Sequence, residues 1–167
     1  LPHGGGQRFE IGSQAYQTLL RWIRVGAPGP RVDEPTLVRL QITPARVVLR
    51  PEGQQPLVVE ATYSDGSTRD VTWLVRFEAQ DSGHAGVSAE GVVRAVRQGE
   101  SVVRAAFQGE VVIAAITVPF ETPANADLYA SRLNAIDHPV LEKLAELRIE
   151  PSPRCDDATF LRRAMLD

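Results

Sequence analysis

The chain has 167 residues, of which 43% are hydrophobic and 23% charged, the balance of a folded rather than a disordered protein. Its net charge of -3 lacks the basic excess that a nucleic-acid footprint needs. One cysteine, Cys155, excludes an internal disulfide, a multi-cysteine zinc site and a c-type haem attachment motif within the chain, and no apolar run approaches the ~20 residues of a membrane span.

In chain order, Gly4-Gly5-Gly6 reads as a loop. Tyr16, Leu19, Leu20 and Ile23 then fall at i, i+3, i+4 and i+7, which predicts one apolar helix face. Ser13 is its expected N-cap, and Gly26 with Pro28 its stop. Pro28 through Pro35 reads as a linker.

From residue 36 to 120 the pattern becomes that of short strands. Leu37, Val38, Leu40 and Ile42 are apolar, Pro44 interrupts, and Val47-Val48-Leu49 resumes. Leu57 to Tyr63 has apolar odd positions. Ser64-Asp65-Gly66-Ser67 predicts a tight turn, because Asp65-Gly66 tolerates positive φ. Further strands are expected at Val71–Phe77, Val92–Val96, Ser101–Phe107 and Val111–Val118, with turns at Ala89-Glu90-Gly91, Gly99 and Gln108-Gly109. Strands spaced by roughly 10 residues with turn signals between them predict a mainly β fold, an antiparallel sandwich.

From residue 121 the helical period returns. Val140, Leu141, Leu144 and Leu147 share one face, with Pro139 expected at the first helical position. Ile149 to Pro153 breaks that helix, and Asp156-Asp157 starts another, where carboxylates favour the positive end of the dipole. Its stripe of Phe160, Leu161, Ala164 and Met165 lacks a partner of matching size, so more chain is expected beyond Asp167.

The middle region resembles the group 2 bacterial immunoglobulin-like family. The resemblance rests on Leu40-Gln41-Ile42-Thr43-Pro44, Gly53, Tyr63-Ser64-Asp65-Gly66-Ser67, Asp70-Val71-Thr72-Trp73, Gly91-Val92-Val93, Gly99-Glu100-Ser101 and the strand Val111–Val118. The sequence departs from the pattern at Leu74-Val75 and His84-Ala85-Gly86-Val87. The resemblance implies an immunoglobulin-like sandwich with Trp73 as a core residue and Asp65, Gly66, Gly91 and Gly99 as structural turn residues. Pro2-His3-Gly4-Gly5-Gly6-Gln7-Arg8-Phe9 with Tyr16 to Pro28 is similar to the end of a planctomycete-type cytochrome c domain. Leu141-Glu142-Lys143-Leu144 through Ala164 looks like the start of the domain of unknown function that commonly follows. The implied division is 1–34, 36–120 and 121–167. Haem is then implied for an upstream domain of the parent and none for this chain.

Several residues invite chemistry. His3 offers an imidazole to haem or metal, against an exposed loop histidine. Asp81, Ser82 and His84 offer the parts of a hydrolytic triad, which so short a polar loop seldom aligns. Asp65, Asp70, Asp81 and Glu90 are calcium-type oxygens that also suit turns. Cys155 at a helix start is a reactive thiol or a small residue. Arg162-Arg163 is an anion contact or a solvated face. Trp73 stacks on sugar or fills the core. Gly4-Gly5-Gly6 lacks the preceding strand and following Lys-Ser/Thr of a phosphate loop. No catalytic, metal or cofactor-binding residue is assigned. The expected function is a non-catalytic spacer or interaction module of an exported, extracytoplasmic multidomain protein, contacting neighbouring domains and, at most, a cell-surface polysaccharide or protein. A carbohydrate-binding module, or a fragment of an electron-transfer or hydrolytic protein active elsewhere, are the alternatives.

Overall fold

The computed structural model describes residues 9–122, 125–130 and 134–166. Its strands are β1 (Leu37–Thr43), β2 (Arg46–Val48), β3 (Gln54–Pro56), β4 (Val58–Tyr63), β5 (Thr68–Asp70), β6 (Arg76–Ala79), β7 (Ala85–Val87), β8 (Val92–Ala95), β9 (Gly99–Phe107) and β10 (Glu110–Val118). They form ladders in the orders β1-β4-β5, β2-β10-β9-β6 and β3-β8-β7. All pairs are antiparallel except β2 with β10, which run parallel. The fold is mainly β: the antiparallel sandwich that the strand pattern predicts, of the immunoglobulin-like kind that the resemblance implies.

That alternation builds the core directly. Successive side chains of a strand face opposite sides, so Leu57, Val59 and Ala61 point inward together, opposite Leu40 and Ile42 of β1. Val103, Ala105, Ala114 and Ile116 supply the facing layer from β9 and β10. Fully burying a side chain of the Val, Leu or Ile kind is worth about 1.5–3 kcal/mol, so this one cluster is the main stabilising term. The β4–β5 hairpin forms at the expected place. Gly66 takes φ of 79°, and Asp65 Oδ1 accepts the Ser67 N–H at 2.9 Å.

The segment Val71–Phe77 is not a continuous strand. Asp70 Oδ1 accepts the Thr72 N–H at 2.9 Å, and Thr72–Leu74 closes into a 3-10 turn before β6 begins. Val71 and Val75 sit on either side of that turn and are the residues that enter the core. Trp73 is only half-buried and stands outside the core cluster, contrary to the expectation drawn from the resemblance. The local period here is that of a helical turn, so Trp73, midway between the two valines, is carried outward. The short strands β3, β5 and β7 were not marked by any apolar alternation.

The helices flank the sandwich. Helix α1 (Gln14–Arg24) has Ser13 as N-cap, its Oγ accepting the Tyr16 N–H at 3.2 Å, and ends before Gly26 at φ of 92°. Helix α2 (Asp137–Leu147) begins two residues before Pro139, which occupies the first turn rather than its first position. Ile136 is the N-cap, and Asn134 Oδ1, two residues earlier, accepts the N–H groups of Ile136 and Asp137 and so ties the preceding turn to the helix start. Helix α3 (Asp157–Leu166) follows, with Asp156 Oδ1 accepting the Thr159 N–H at 2.7 Å. Among the described residues no helix is long and apolar enough to cross a membrane.

Candidate functional site

Asp65, Asp70, Asp81, His84 and Glu90 are each met by neighbours in their own turn or loop. His84 Nδ1 lies 2.9 Å from Asp81 Oδ2, so two members of the supposed triad do pair. Nε2, which would have to face a nucleophile, has Arg97 Nη2 at 3.5 Å. The nearby Ser101 Oγ donates to the Asp81 carbonyl at 3.0 Å. His84 and the Gly83 N–H together hold the Asp81 carboxyl below the usual carboxylate range. This is a braced loop: its geometry orients the imidazole between the Asp81 carboxylate and the Arg97 guanidinium. Gly99 is part of the brace. Its φ is 132°, and a Cβ there would clash with the His84 ring.

The four carboxylates considered for calcium do not converge. Asp65 closes the β4–β5 turn and Asp70 caps the 3-10 turn. Glu90 sits in the β7–β8 turn, its carboxyl held low by the Ser88 hydroxyl. Among the described residues no group of three acidic, histidine or cysteine side chains could hold a metal ion. Gly91 in the same turn has φ of 81°, and a Cβ there would lie 2.9 Å from the Phe77 ring. Cys155 is exposed in the segment before α3, and Arg162 and Arg163 are exposed on that helix. His3 and Gly4-Gly5-Gly6 lie outside the described residues.

Two features were not read from the sequence. The first is an open cleft of about 380 Å³ at one end of the sandwich, lined by Ser13, Gln14 and Ala15 of the α1 start and by Asp70, Thr72, Trp73, Ala89 and Glu90. It brings one aromatic side chain, Trp73, and two carboxylates, Asp70 and Glu90, to the same cleft. Trp73 lines it because that residue is turned outward, whereas the resemblance had put it inside.

The second is the seat of α2 on the outer face of β9 and β10. Thr117 is 2% exposed although it belongs to the outward row of β10. Its Oγ1 lies 3.0 Å from Glu146 Oε1 of α2 and 3.3 Å from Glu100 Oε1 of β9. Lys143, the single lysine, contacts the Glu100 carboxylate and reaches Glu146 Oε2 at 3.0 Å. Its ammonium is held above its ordinary pKa by Glu100, and the Glu146 carboxyl is held below its own by Lys143. The Phe120 N–H also donates to the Leu147 carbonyl at 2.9 Å. In sequence these residues look like ordinary surface positions, and no spacing rule links Glu100 to Lys143.

The family model of the bacterial Ig-like domain (group 2) matches residues 39–112, less than half of the chain. No curated protein matches the chain. Solved structures with a similar course include domains 5-6 of the S-layer protein SbsC, at 17% identity and TM-score 0.46, covering 55% of this chain and 48% of that one. The larger structure rSbsC(31-844) is 15% identical at TM-score 0.45, covering 55% of this chain and 14% of that one. An intimin mutant of EHEC O157:H7 is 18% identical at TM-score 0.37, covering 57% of each chain. The chain thus covers less than two thirds of the length of each.

Proposed function

We propose that this chain, through the bacterial Ig-like domain matched at residues 39–112, serves as a non-catalytic spacer or interaction module of a larger exported protein. The observation that carries this reading is the commitment of its polar groups. Asp65, Asp70, Asp81 and His84 are each bonded within their own turn or loop, and Arg97 occupies the side of His84 where a nucleophile would stand. The apolar residues meanwhile close into one core cluster. A sandwich of this kind holds its two ends apart and offers loops for contact. The extracytoplasmic setting, the haem-containing domain upstream and the domain of unknown function downstream belong to the same proposal, on the strength of the flanking resemblances.

A second reading is favoured by the cleft at Trp73: a carbohydrate-binding surface in which the indole stacks on a sugar ring and Asp70 and Glu90 accept its hydroxyls. A glycan array probed with the whole chain separates the two. Retention that Trp73→Ala abolishes establishes the binding module, and an array without signal supports the spacer.

A further inference from the structure

We propose that Lys143 locks α2 onto the sandwich, so that the sandwich and α2 form one rigid body while α1 pivots about the linker between Val25 and Pro35. This rests on the spacer reading and sharpens it into a module with one fixed joint and one hinged joint.

The fixed joint follows from charge. Two carboxylates, Glu100 from β9 and Glu146 from α2, converge on the hydroxyl of Thr117. That hydroxyl has one proton and serves one oxygen at a time. Left alone, the two anions would repel and α2 would lift away. Lys143 stands between them and contacts both. Arg46 of β2 adds positive potential on the Glu146 side. The contact also covers the hydroxyl of a residue that is 2% exposed, and the Phe120–Leu147 backbone bond pins the end of the helix. Removing Lys143 leaves two like charges facing a partly desolvated site, which is worse than an empty one.

Among the described residues the side-chain bonds of the hinged joint stay within it: Trp22 Nε1–H donates to the Pro28 carbonyl at 3.0 Å, and Arg31 pairs with Asp33 at 3.4 Å. Every residue from Arg21 to Glu34 is exposed. The backbone bonds around the linker are local, as between the Glu34 N–H and the Arg31 carbonyl at 3.4 Å. Beyond it, α1 faces the sandwich across the open cleft at Trp73. Few buried contacts and an exposed backbone are the marks of a segment that opens cheaply.

The test uses the whole chain carrying Cys155→Ser and pairs of spin labels, with distance distributions read by pulsed electron paramagnetic resonance. One pair, at Glu110→Cys and Glu142→Cys, spans the sandwich and α2. The other, at Glu110→Cys and Gln17→Cys, spans the sandwich and α1. A narrow peak for the first pair and a broad one for the second are expected. Lys143→Ala should abolish the narrow peak while helix content by circular dichroism holds. If that variant also loses helix, Lys143→Gln, which keeps most of the stem and removes the charge, should abolish the peak by itself. A first pair already broad in the parent, or a narrow peak that survives the deciding substitution, overturns the lock. Neither result moves the glycan array, so the failure of the joint and the failure of the spacer reading are told apart.

Discussion

Along Leu57, Val59 and Ala61 each apolar side chain is buried to within 1%, whereas on α1 the equally regular Leu19 and Ile23 stay 39% and 55% exposed. The two stretches carry sequence signals of similar clarity. What separates them is a second apolar face within reach. In the sandwich, β1 lies beside β4 in a register that stacks Leu40 with Ala61 and Ile42 with Val59. Around α1, and likewise around α3 with Phe160 at 62% and Met165 at 81% exposure, the described residues provide no such face. Periodicity locates an apolar face, and burial then depends on what the rest of the molecule brings to it.

The strongest way to break this contrast is a core truncation. Leu57→Ala should cost about 2–5 kcal/mol in urea denaturation, because a fully buried leucine leaves both lost transfer energy and a cavity. A loss no larger than that of a surface change would mean that the core cluster is not the stabilising unit.

Glycines sharpen the comparison within the sandwich itself. Gly91 and Gly66 have nearly the same φ, 81° and 79°, but a Cβ at Gly91 meets the Phe77 ring and one at Gly66 meets open space. Gly66→Ala should therefore cost only the left-handed conformation, about 1–2 kcal/mol. Gly91→Ala should add an overpacking term of roughly 1–3 kcal/mol to that. Equal melting temperatures for the two variants would contradict the packing around Phe77.

Trp73→Ala is expected to fall between core and surface, at roughly 1–2 kcal/mol, since the side chain is only half-buried. A loss matching Leu57→Ala would restore Trp73 to the core position that the family resemblance implies.

The seat of α2 predicts a pH window. Glu146 has its pKa lowered, so its contribution is present above its ordinary value of 4.5 and is lost as pH falls through the depressed native value. Lys143 has its pKa raised, so its contribution holds below its ordinary value of 10.5 and is lost only as pH rises through the raised one. The protection of the Phe120 amide against hydrogen exchange should therefore be constant across neutral pH and fall in acid. Protection unchanged down to complete acid unfolding would mean that the ion pairs do not hold the helix. At the small end of the scale, Phe160→Ser on α3 should shift stability by no more than about 0.5 kcal/mol, as for an exposed position.

How far the sequence could be read follows from the range of each interaction. The β4–β5 hairpin was legible because Asp65 and Gly66 settle it between neighbours. The core strands were legible because burial imposes alternation on Leu57 to Tyr63 and Val111 to Val118. The strands β3, β5 and β7 were not, because Gln54-Gln55-Pro56, Thr68-Arg69-Asp70 and Ala85-Gly86-Val87 are paired by their backbones and carry little apolar pattern. The outward course of Trp73 goes with a turn in which Asp70 accepts from the Thr72 N–H and Thr72 Oγ1 accepts from the Val59 N–H, bonds that a propensity argument does not weigh against the aromatic. The α2 seat joins residues 100, 117, 143 and 146, and nothing local ties a lysine on a helix to a glutamate on a distant strand.

The parallel pairing of β2 with β10 bears on how the molecule would carry a load. The chain enters through β1, passes to β2 at Pro44 and leaves through β10, so stretching it from its ends draws β2 and β10 past one another lengthwise. The bonds between them, among them Leu49 N–H to the Thr117 carbonyl and Ala115 N–H to the Ala45 carbonyl, both 2.9 Å, are then strained together in shear. In a hairpin such as β4–β5, opened from its free ends, the bonds would instead break singly, like the teeth of a zip. The sandwich should consequently resist stretching along this axis more than its thermal stability alone suggests, and Thr117 would place the seat of α2 directly over the strand that takes the strain.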